Sequence, residues 1–298
     1  MRITVAAPAK VNLWLRVGAA EPSGYHPVDT LFCALQLADT IVVRPATEPE
    51  PDLDVEFAAP LTALPELGPA AANLAVLAAG AFIERAGLGG WPRIRLAKRI
   101  PPGGGLGGGS SDAASVLRAM SRLHPDAVPA AELMAMAAEL GSDVPFFARA
   151  APLAHGTGRG ERLASLAPLP PRSVVLVMPE LAIPTAEAFR WLDEDRAAAA
   201  VKPPSLPARP AHDHDLSWAA IADRAVNDFE GPVFARHPRL AEVRDRLREH
   251  GARPALLAGS GATVFGVFEE AADAGRAAAS LTEWDGTLRV VLSRTRTR

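Results

Sequence analysis

Hydrophobic and polar positions in the first half of the chain follow two spacings, one typical of strands and one of helices. Alternating apolar residues predict strands over residues 3–6, 11–17, 40–44 and 93–100. Apolar residues three and four positions apart predict helices over residues 73–85, 110–123, 130–140 and 144–148. Gly87 and Gly141 are placed to end two of these helices, and Ser142 is the expected N-cap of the last.

The second half of the chain also mixes strands with helices. A proline-rich segment over residues 162–172 indicates a boundary, so we expect domains over residues 1–166 and 167–298. Further strands are expected over residues 173–178, 255–258, 263–268 and 288–292, and further helices over residues 185–192, 216–229, 239–250 and 270–281. Residues 45–70 and 196–217 are expected to be loops. The pattern favours the α+β class in both domains.

Composition narrows the classes of function. A net charge of −3 provides no broad basic surface for nucleic acid. No apolar run is long enough to span a membrane, and Pro8 and Lys10 interrupt the apolar core that a signal peptide needs. The sole cysteine, Cys33, lies in an apolar run and is expected to be buried. These features predict a cytoplasmic protein that binds neither nucleic acid nor membrane.

A glycine-rich stretch, PPGGGLGGGSSDAA, begins at Pro101 and runs into a predicted helix. Glycines without Cβ atoms allow close approach of a ligand, and a helix N-terminus directs N–H groups at anions, so this stretch favours phosphate. A P-loop is excluded because Ser110 stands where that motif has lysine. The weak dinucleotide pattern and a flexible linker remain open, although only Asp126 lies where a ribose-binding acid belongs.

Two charged residues stand out as candidates for chemistry. Lys10 is one of three lysines in an arginine-dominated chain and lies in a predicted apolar strand. Its ammonium suits phosphate chemistry, but a solvated lysine on a strand face would look the same. Asp143 opens a predicted helix, where its ionised form is favoured. It suits a general base or the partner of a cation, although the residue taken alone favours a simple helix cap.

Three aromatic side chains are candidates for binding a planar ligand. Tyr25, the only tyrosine, stands beside His26 in a Gly-Tyr-His-Pro segment. A phenol ring next to an imidazole can stack on and hydrogen-bond a base, although a half-buried turn would explain the pair as well. Phe189, taken alone, favours a core residue over a ligand contact.

Two other motifs are interpreted as structural. Gly259-Ser260-Gly261 lacks the spacing of a hydrolase nucleophile elbow. His212-Asp213-His214-Asp215 lies in a proline-rich segment with no further ligands near it, and we interpret it as a solvated loop rather than a metal site.

The order of these motifs resembles the GHMP small-molecule kinase superfamily. The resemblance rests on Pro8-Ala9-Lys10-Val11-Asn12-Leu13, Gly24-Tyr25-His26-Pro27, the glycine-rich stretch, Leu140-Gly141-Ser142-Asp143-Val144-Pro145 and Gly259-Ser260-Gly261. It covers almost the whole chain. The first two motifs narrow it to kinases that phosphorylate the 2-hydroxyl of 4-diphosphocytidyl-2-C-methyl-D-erythritol, with ATP and Mg²⁺.

The resemblance implies an N-terminal domain like ribosomal protein S5 domain 2 and a ferredoxin-like C-terminal domain. It implies that Lys10 and Asp143 act together on the substrate hydroxyl. It implies ATP binding by Pro101, Pro102, Gly103, Gly104, Gly105, Leu106, Gly107, Gly108, Gly109, Ser110 and Ser111, with Ser111 near the metal. Asn12, Tyr25, His26 and Phe189 would bind the cytidine diphosphate sugar-alcohol. We expect a monomer or a weak homodimer.

Three alternatives stay open from the sequence. One is a GHMP kinase acting on an alcohol without a nucleobase, which Tyr25-His26 disfavours. Another is a catalytically silent nucleotide-binding protein of the same fold, although this chain keeps both Lys10 and Asp143. A nicotinamide dehydrogenase would rest only on the weak glycine pattern.

Overall fold

A computed structural model describes residues 2–57, 69–211 and 216–298. Its strands are β1 (Ile3–Val17), β2 (Val28–Glu48), β3 (Asp52–Phe57), β4 (Trp91–Lys98), β5 (Leu153–Thr157), β6 (Arg162–Ser165), β7 (Ser173–Met178), β8 (Ala255–Leu257), β9 (Val264–Phe268) and β10 (Arg289–Arg294). Its helices are α1 (Leu74–Ala86), α2 (Gly108–Leu123), α3 (Ala130–Leu140), α4 (Val144–Arg149), α5 (Thr185–Ala198), α6 (Trp218–Arg224), α7 (Glu230–Arg236), α8 (Pro238–Glu249) and α9 (Ala271–Trp284). The predicted α+β class is confirmed.

The chain forms two compact units, the first comprising Met1–Ala9, Leu37–Pro102 and Gly107–Ala150. In it, β4 lies between β3, its parallel neighbour, and residues 40–48 of β2, which run antiparallel. Helices α1 to α4 pack on one another around the buried side chains of Phe82 and Leu117. Helix α1 begins where Asn73 Oδ1 accepts a hydrogen bond from the backbone N–H of Ala75, and it ends at Gly87, as the sequence predicts.

The second unit comprises Lys10–Gln36, Gly103–Leu106 and Ala151–Arg298. Its antiparallel sheet has the order β10-β7-β9-β8, with α5 to α8 between β7 and β8 and α9 between β9 and β10. That order and those crossovers are the ferredoxin-like arrangement. Strand β7 is buried along its whole length, and its Val175 and Val177 pack into the core of this unit.

Strand β3 and the end of β2 show that part of the 45–70 loop prediction is wrong. Acidic residues alternate along β3 with half-buried ones, so the apolar pattern that predicts a strand is weak. Ion pairs between neighbouring strands, rather than an apolar pattern, hold β3 and the end of β2 against β4. Arg93 and Arg95 of β4 form ion pairs with Glu48 and Glu56, each with a 2.6 Å N–O distance. Cross-strand charge pairs of this kind favour strand pairing.

A single helix over residues 216–229 is also wrong, because α6 ends at Arg224 and α7 starts at Glu230. The residues between them bond to β1 instead. The N–H of Leu15 donates to the carbonyl of Val226, and the N–H of Asp228 donates to that of Leu15. Pairing with a distant strand leaves no local signal in the sequence.

Three smaller outcomes concern Ser142, Cys33 and the helices as a set. Ser142 is not the N-cap of α4, because Asp143 occupies that position. Cys33 is buried as expected, and burial raises the pKa of its thiol to about 12. Among the helices of the described ranges, none has the length and apolarity needed to cross a membrane. The division at residue 166 stays a prediction.

Candidate active site

The tip of the glycine-rich loop, Gly103–Leu106, packs backbone to backbone against the second glycine turn of the same unit. A Cβ on Gly105, whose φ is +75°, would lie 1.9 Å from the carbonyl oxygen of Ala258. A Cβ on Gly259 would lie 3.0 Å from the carbonyl oxygen of Gly105. Only residues without side chains allow such an approach. The two glycine motifs are therefore parts of one structure, which the sequence did not indicate.

Asn227 supports this structure, and sequence reasoning missed it. Its side-chain amide donates to the carbonyl oxygens of Leu257 and Gly259, at 2.9 and 2.7 Å. Its Oδ1 accepts a hydrogen bond from the N–H of Phe229. The buried amide thus joins the glycine turn to the start of α7 and holds the carbonyl groups of the turn in place.

Lys10 is buried, which excludes a solvated lysine on a strand face. Its side chain is 4% exposed, and its Nζ donates to Asn12 Oδ1 at 2.8 Å. Asn12 Nδ2 donates in turn to Thr30 Oγ1 at 2.7 Å. The backbone N–H of Lys10 donates to the carbonyl of Leu106 at 2.9 Å, which fixes the tip of the glycine-rich loop on β1. A buried ammonium next to a glycine-rich loop suits an anionic ligand.

The rest of the glycine-rich loop lies in the first unit, where it becomes α2. Gly107, with φ +71°, is the N-cap of α2, and the helix starts at Gly108. The first N–H groups of a helix have no partner within it, and together with the helix dipole they attract phosphate. Ser110 is half-buried and Ser111 fully buried. Pro101 and Pro102 precede the loop in this unit.

Behind the start of α2 lies a buried cluster of three charges that sequence reasoning missed. Lys98 Nζ lies 2.5 Å from Asp39 Oδ2 and 2.7 Å from Asp112 Oδ2, and all three side chains are at most 5% exposed. Burial raises the pKa of the Asp112 carboxyl to about 7, against the lowering effect of Lys98. Burial alone would lower the pKa of the Lys98 ammonium. The neighbouring carboxylates of Asp112 and Asp39 outweigh that effect, so the pKa of Lys98 is raised.

Asp143, in the first unit, stands at the N-cap position of α4 with φ −87°, yet its side chain makes no capping hydrogen bond. This weakens the simple capping interpretation. The predicted pairing of Asp143 with Lys10 stays a prediction.

The candidate acceptor-binding residues form ring contacts in the second unit. His26 stacks on Phe189 with ring centroids 4.8 Å apart, and its Nε2 lies 3.0 Å from the Asp193 carboxylate. Phe189 also packs edge-on against the buried ring of Phe229, so it belongs to the core as well as to the His26 contact. Tyr25 is 53% exposed, and the Arg159 guanidinium lies 3.6 Å from the centre of its ring.

Mg²⁺ prefers oxygen ligands and usually keeps water and substrate phosphates in its shell. The buried Oγ of Ser111 has no hydrogen-bond partner among the described residues, so it is an oxygen donor available to an ion. No group of three His, Cys, Asp or Glu side chains in the described part of the chain could hold a metal. Ser111 therefore fits a Mg²⁺ ion that takes most of its ligands from the ATP phosphates. His212 and His214 lie outside the described residues.

Comparison with known proteins identifies the family. Residues 73–150 match the family model for the GHMP kinases N terminal domain, and residues 205–285 match that for GHMP kinases C terminal. The 4-diphosphocytidyl-2-C-methyl-D-erythritol kinase of Anaeromyxobacter sp. (strain K) is 46% identical, over 90% of this chain and 81% of its own. The enzyme of the same name from Thermus thermophilus is 41% identical, over 93% and 92%.

Solved structures agree with these matches. A crystal structure of 4-(cytidine 5'-diphospho)-2C-methyl-D-erythritol kinase is 38% identical, with a TM-score of 0.72, and covers 98% of this chain and 99% of its own. A homoserine kinase from Cytophaga hutchinsonii has a TM-score of 0.67 at 15% identity, over 99% and 95%, and shares the fold alone. The predicted two-domain GHMP kinase fold is confirmed. The chain belongs to the GHMP kinase family, within the group of 4-diphosphocytidyl-2-C-methyl-D-erythritol kinases.

Proposed function

We propose that the chain transfers the γ-phosphoryl group of ATP to the 2-hydroxyl of 4-diphosphocytidyl-2-C-methyl-D-erythritol. The products are the 2-phosphate and ADP, in the non-mevalonate route to isopentenyl diphosphate. Identity above 40% to relatives of that name over most of the chain supports the substrate. The observation that carries the chemistry is the buried Lys10 ammonium, whose own backbone N–H binds the glycine-rich loop at Leu106.

The glycine-rich loop and the start of α2 bind the ATP phosphates in this proposal. Backbone N–H groups from Gly107 to Ser110 supply the donors, and the dipole of α2 adds positive potential. Mg²⁺, held mainly by the triphosphate and by the Ser111 hydroxyl, would neutralise charge on the phosphates.

Lys10 is proposed to stabilise the transferring phosphoryl group. Its Nζ is oriented by Asn12, which is itself fixed by Thr30, so the ammonium requires little reorganisation during the reaction. Such preorganised charges are where phosphoryl transfer gains most of its rate.

Asp143 is proposed as the base or orienting carboxylate. It accepts the proton of the 2-hydroxyl while the oxygen forms a bond to the γ-phosphorus, and the bond from that phosphorus to ADP breaks. Its side chain makes no capping hydrogen bond at the start of α4, so the helix end does not occupy the carboxylate that a base requires.

Tyr25, His26, Phe189 and Asn12 are proposed to recognise the cytidine diphosphate end of the acceptor. One face of Tyr25 carries Arg159, which leaves its other face for the cytosine. His26 is held by Asp193 and stacked on Phe189, so its ring is fixed before the base binds. Asn12, which also orients Lys10, is proposed to contact the same acceptor. We also propose that the protein acts in the cytoplasm, where ATP is supplied.

A coupled assay of ADP release tests the proposal. The cytidyl alcohol, homoserine and mevalonate are offered separately with MgATP, and only the first should be turned over. Asp143→Asn should lose about a hundredfold or more of kcat, in line with removal of a general base. Turnover of homoserine or mevalonate instead would favour another GHMP kinase, and ATP binding without turnover of any acceptor would favour a silent protein. Normal kcat for Asp143→Asn would refute the role of Asp143.

A further inference from the structure

The three buried charges behind α2 join the two ends of the glycine-rich loop. Lys98 is the last residue of β4, immediately before the loop, and Asp112 lies near the start of α2, immediately after it. The Lys98 ammonium binds Asp112 Oδ2 at 2.7 Å and Asp39 Oδ2, on β2, at 2.5 Å. All of these contacts lie within the first unit.

Asp39 also fixes the backbone that leads into the loop. Its Oδ1 accepts hydrogen bonds from the N–H groups of Arg99 and Ile100, at 2.5 and 2.8 Å. A single carboxylate therefore holds the backbone just before Pro101, while its other oxygen binds the ammonium that holds α2. A Cβ on Gly108 would lie 3.3 Å from Lys98 Nζ, so the ammonium lies directly behind the first residue of the helix.

Six glycines lie between Lys98 and Asp112, four of them before α2 begins, so this stretch has many accessible conformations and ordering it costs entropy. A buried ion pair is a poor way to add stability, because desolvation of the charges offsets much of their attraction. It is a good way to fix one geometry, since Lys98 binds Asp39 and Asp112 while Asp39 also binds two backbone N–H groups, and few arrangements allow all four bonds together.

We propose that Asp39, Lys98 and Asp112 form a clamp that holds both ends of the glycine-rich loop in the conformation that binds the ATP triphosphate. These are positioning residues, since they act through the loop. The inference rests on the proposed function only in that the loop binds ATP, whatever the acceptor is.

Binding of a non-hydrolysable ATP analogue with Mg²⁺, measured by calorimetry, tests the clamp without an acceptor. Asp112→Ala should weaken binding about tenfold to a hundredfold, because a small displacement of a positioned group is costly. Asp112→Asn, which still offers an oxygen to Lys98, should stay within about threefold of the unchanged protein. In turnover, Asp112→Ala should raise the KM for ATP and leave the KM for the acceptor unchanged.

Leu117→Ala is the matched control, because Leu117 is fully buried on the same helix and its apolar side chain takes no part in the charge cluster. It destabilises α2 by a cavity, and it should leave analogue binding unchanged under conditions where the protein is folded. If Asp112→Ala does not fold, Lys98→Met serves as the second variant and should show the same weakened binding. Unweakened binding by the folded variant, or equal weakening by Leu117→Ala, would overturn the clamp. Failure of the unchanged protein to bind the analogue would instead refute ATP as the donor.

Discussion

Lys10 and Tyr25 show at the scale of single residues how surroundings change the meaning of a side chain. Sequence alone allows Lys10 to be an ordinary solvated lysine. Burial to 4% and the bond to Asn12 exclude that alternative, because a buried ammonium is retained only where a partner or ligand compensates it. Tyr25 is the opposite case, since its ring is 53% exposed and packs on the Arg159 guanidinium, and only a binding measurement separates a role in the acceptor site from a role in the turn.

Replacement of Tyr25 tests whether its ring binds the acceptor. Tyr25→Ala should raise the KM for the cytidyl alcohol by about fivefold to 160-fold, since stacking on a base contributes about 1–3 kcal/mol. Tyr25→Phe keeps the ring and should change this KM less than about twofold, the precision of such a measurement. The KM for ATP should not move in either variant. Unchanged KM for the acceptor in Tyr25→Ala would exclude stacking on this ring.

Helices and strands that follow a local sequence pattern were predictable, whereas contacts between residues far apart in the sequence were not. The β-branched run of β7 and the capped ends of α1 follow from neighbouring residues, and the structure confirms them. Asp39 binds Lys98 across 59 positions in sequence, and Asn227 binds Gly259 across 32. No periodicity marks such contacts, so the sequence predicts neither the clamp nor the hydrogen bonds from Asn227 to the glycine turn.

The contact between the two glycine motifs predicts the effect of Gly105→Ala. A left-handed backbone costs a residue with Cβ about 1–2 kcal/mol, and the overlap with the Ala258 carbonyl adds more by overpacking. The free energy of unfolding should fall by about 2–4 kcal/mol in a urea titration, and affinity for ATP should fall with it. Gly251→Ala is the control, since Gly251 has φ +92° and open space around it. An equal fall in the free energy of unfolding in the two variants would show that the close contact between Gly105 and Ala258 contributes nothing.

The burial of Asp112 predicts a pH dependence of stability. Its pKa in the folded protein is about 7, above the ordinary 3.8, so between these values the folded state holds more protons than the unfolded state. The stabilising contribution is complete below pH 3.8 and is lost as the pH rises through about 7. Between about pH 5 and 7 the free energy of unfolding should therefore fall more steeply in the unchanged protein than in Asp112→Asn, by at most about 1.4 kcal/mol per pH unit. Parallel slopes would mean that Asp112 is ionised in both states.

At the scale of the whole molecule, the order of motifs along the chain predicted the family, and the matches over residues 73–150 and 205–285 confirm it. The pairing of Lys10 with Asp143 comes from the family resemblance and the division at residue 166 from the proline-rich segment, and both stay predictions. The oligomeric state is likewise open to a direct measurement by sedimentation.

Phosphorus NMR of the reaction products tests the central claim most directly. With MgATP and 4-diphosphocytidyl-2-C-methyl-D-erythritol, the spectrum should show one new phosphomonoester, on the 2-carbon oxygen, formed in step with ADP. At the same protein concentration, Asp143→Asn should form the phosphomonoester and ADP far more slowly than the unchanged protein. Release of inorganic phosphate with the alcohol recovered unchanged, or a phosphate ester at another hydroxyl, would contradict the account.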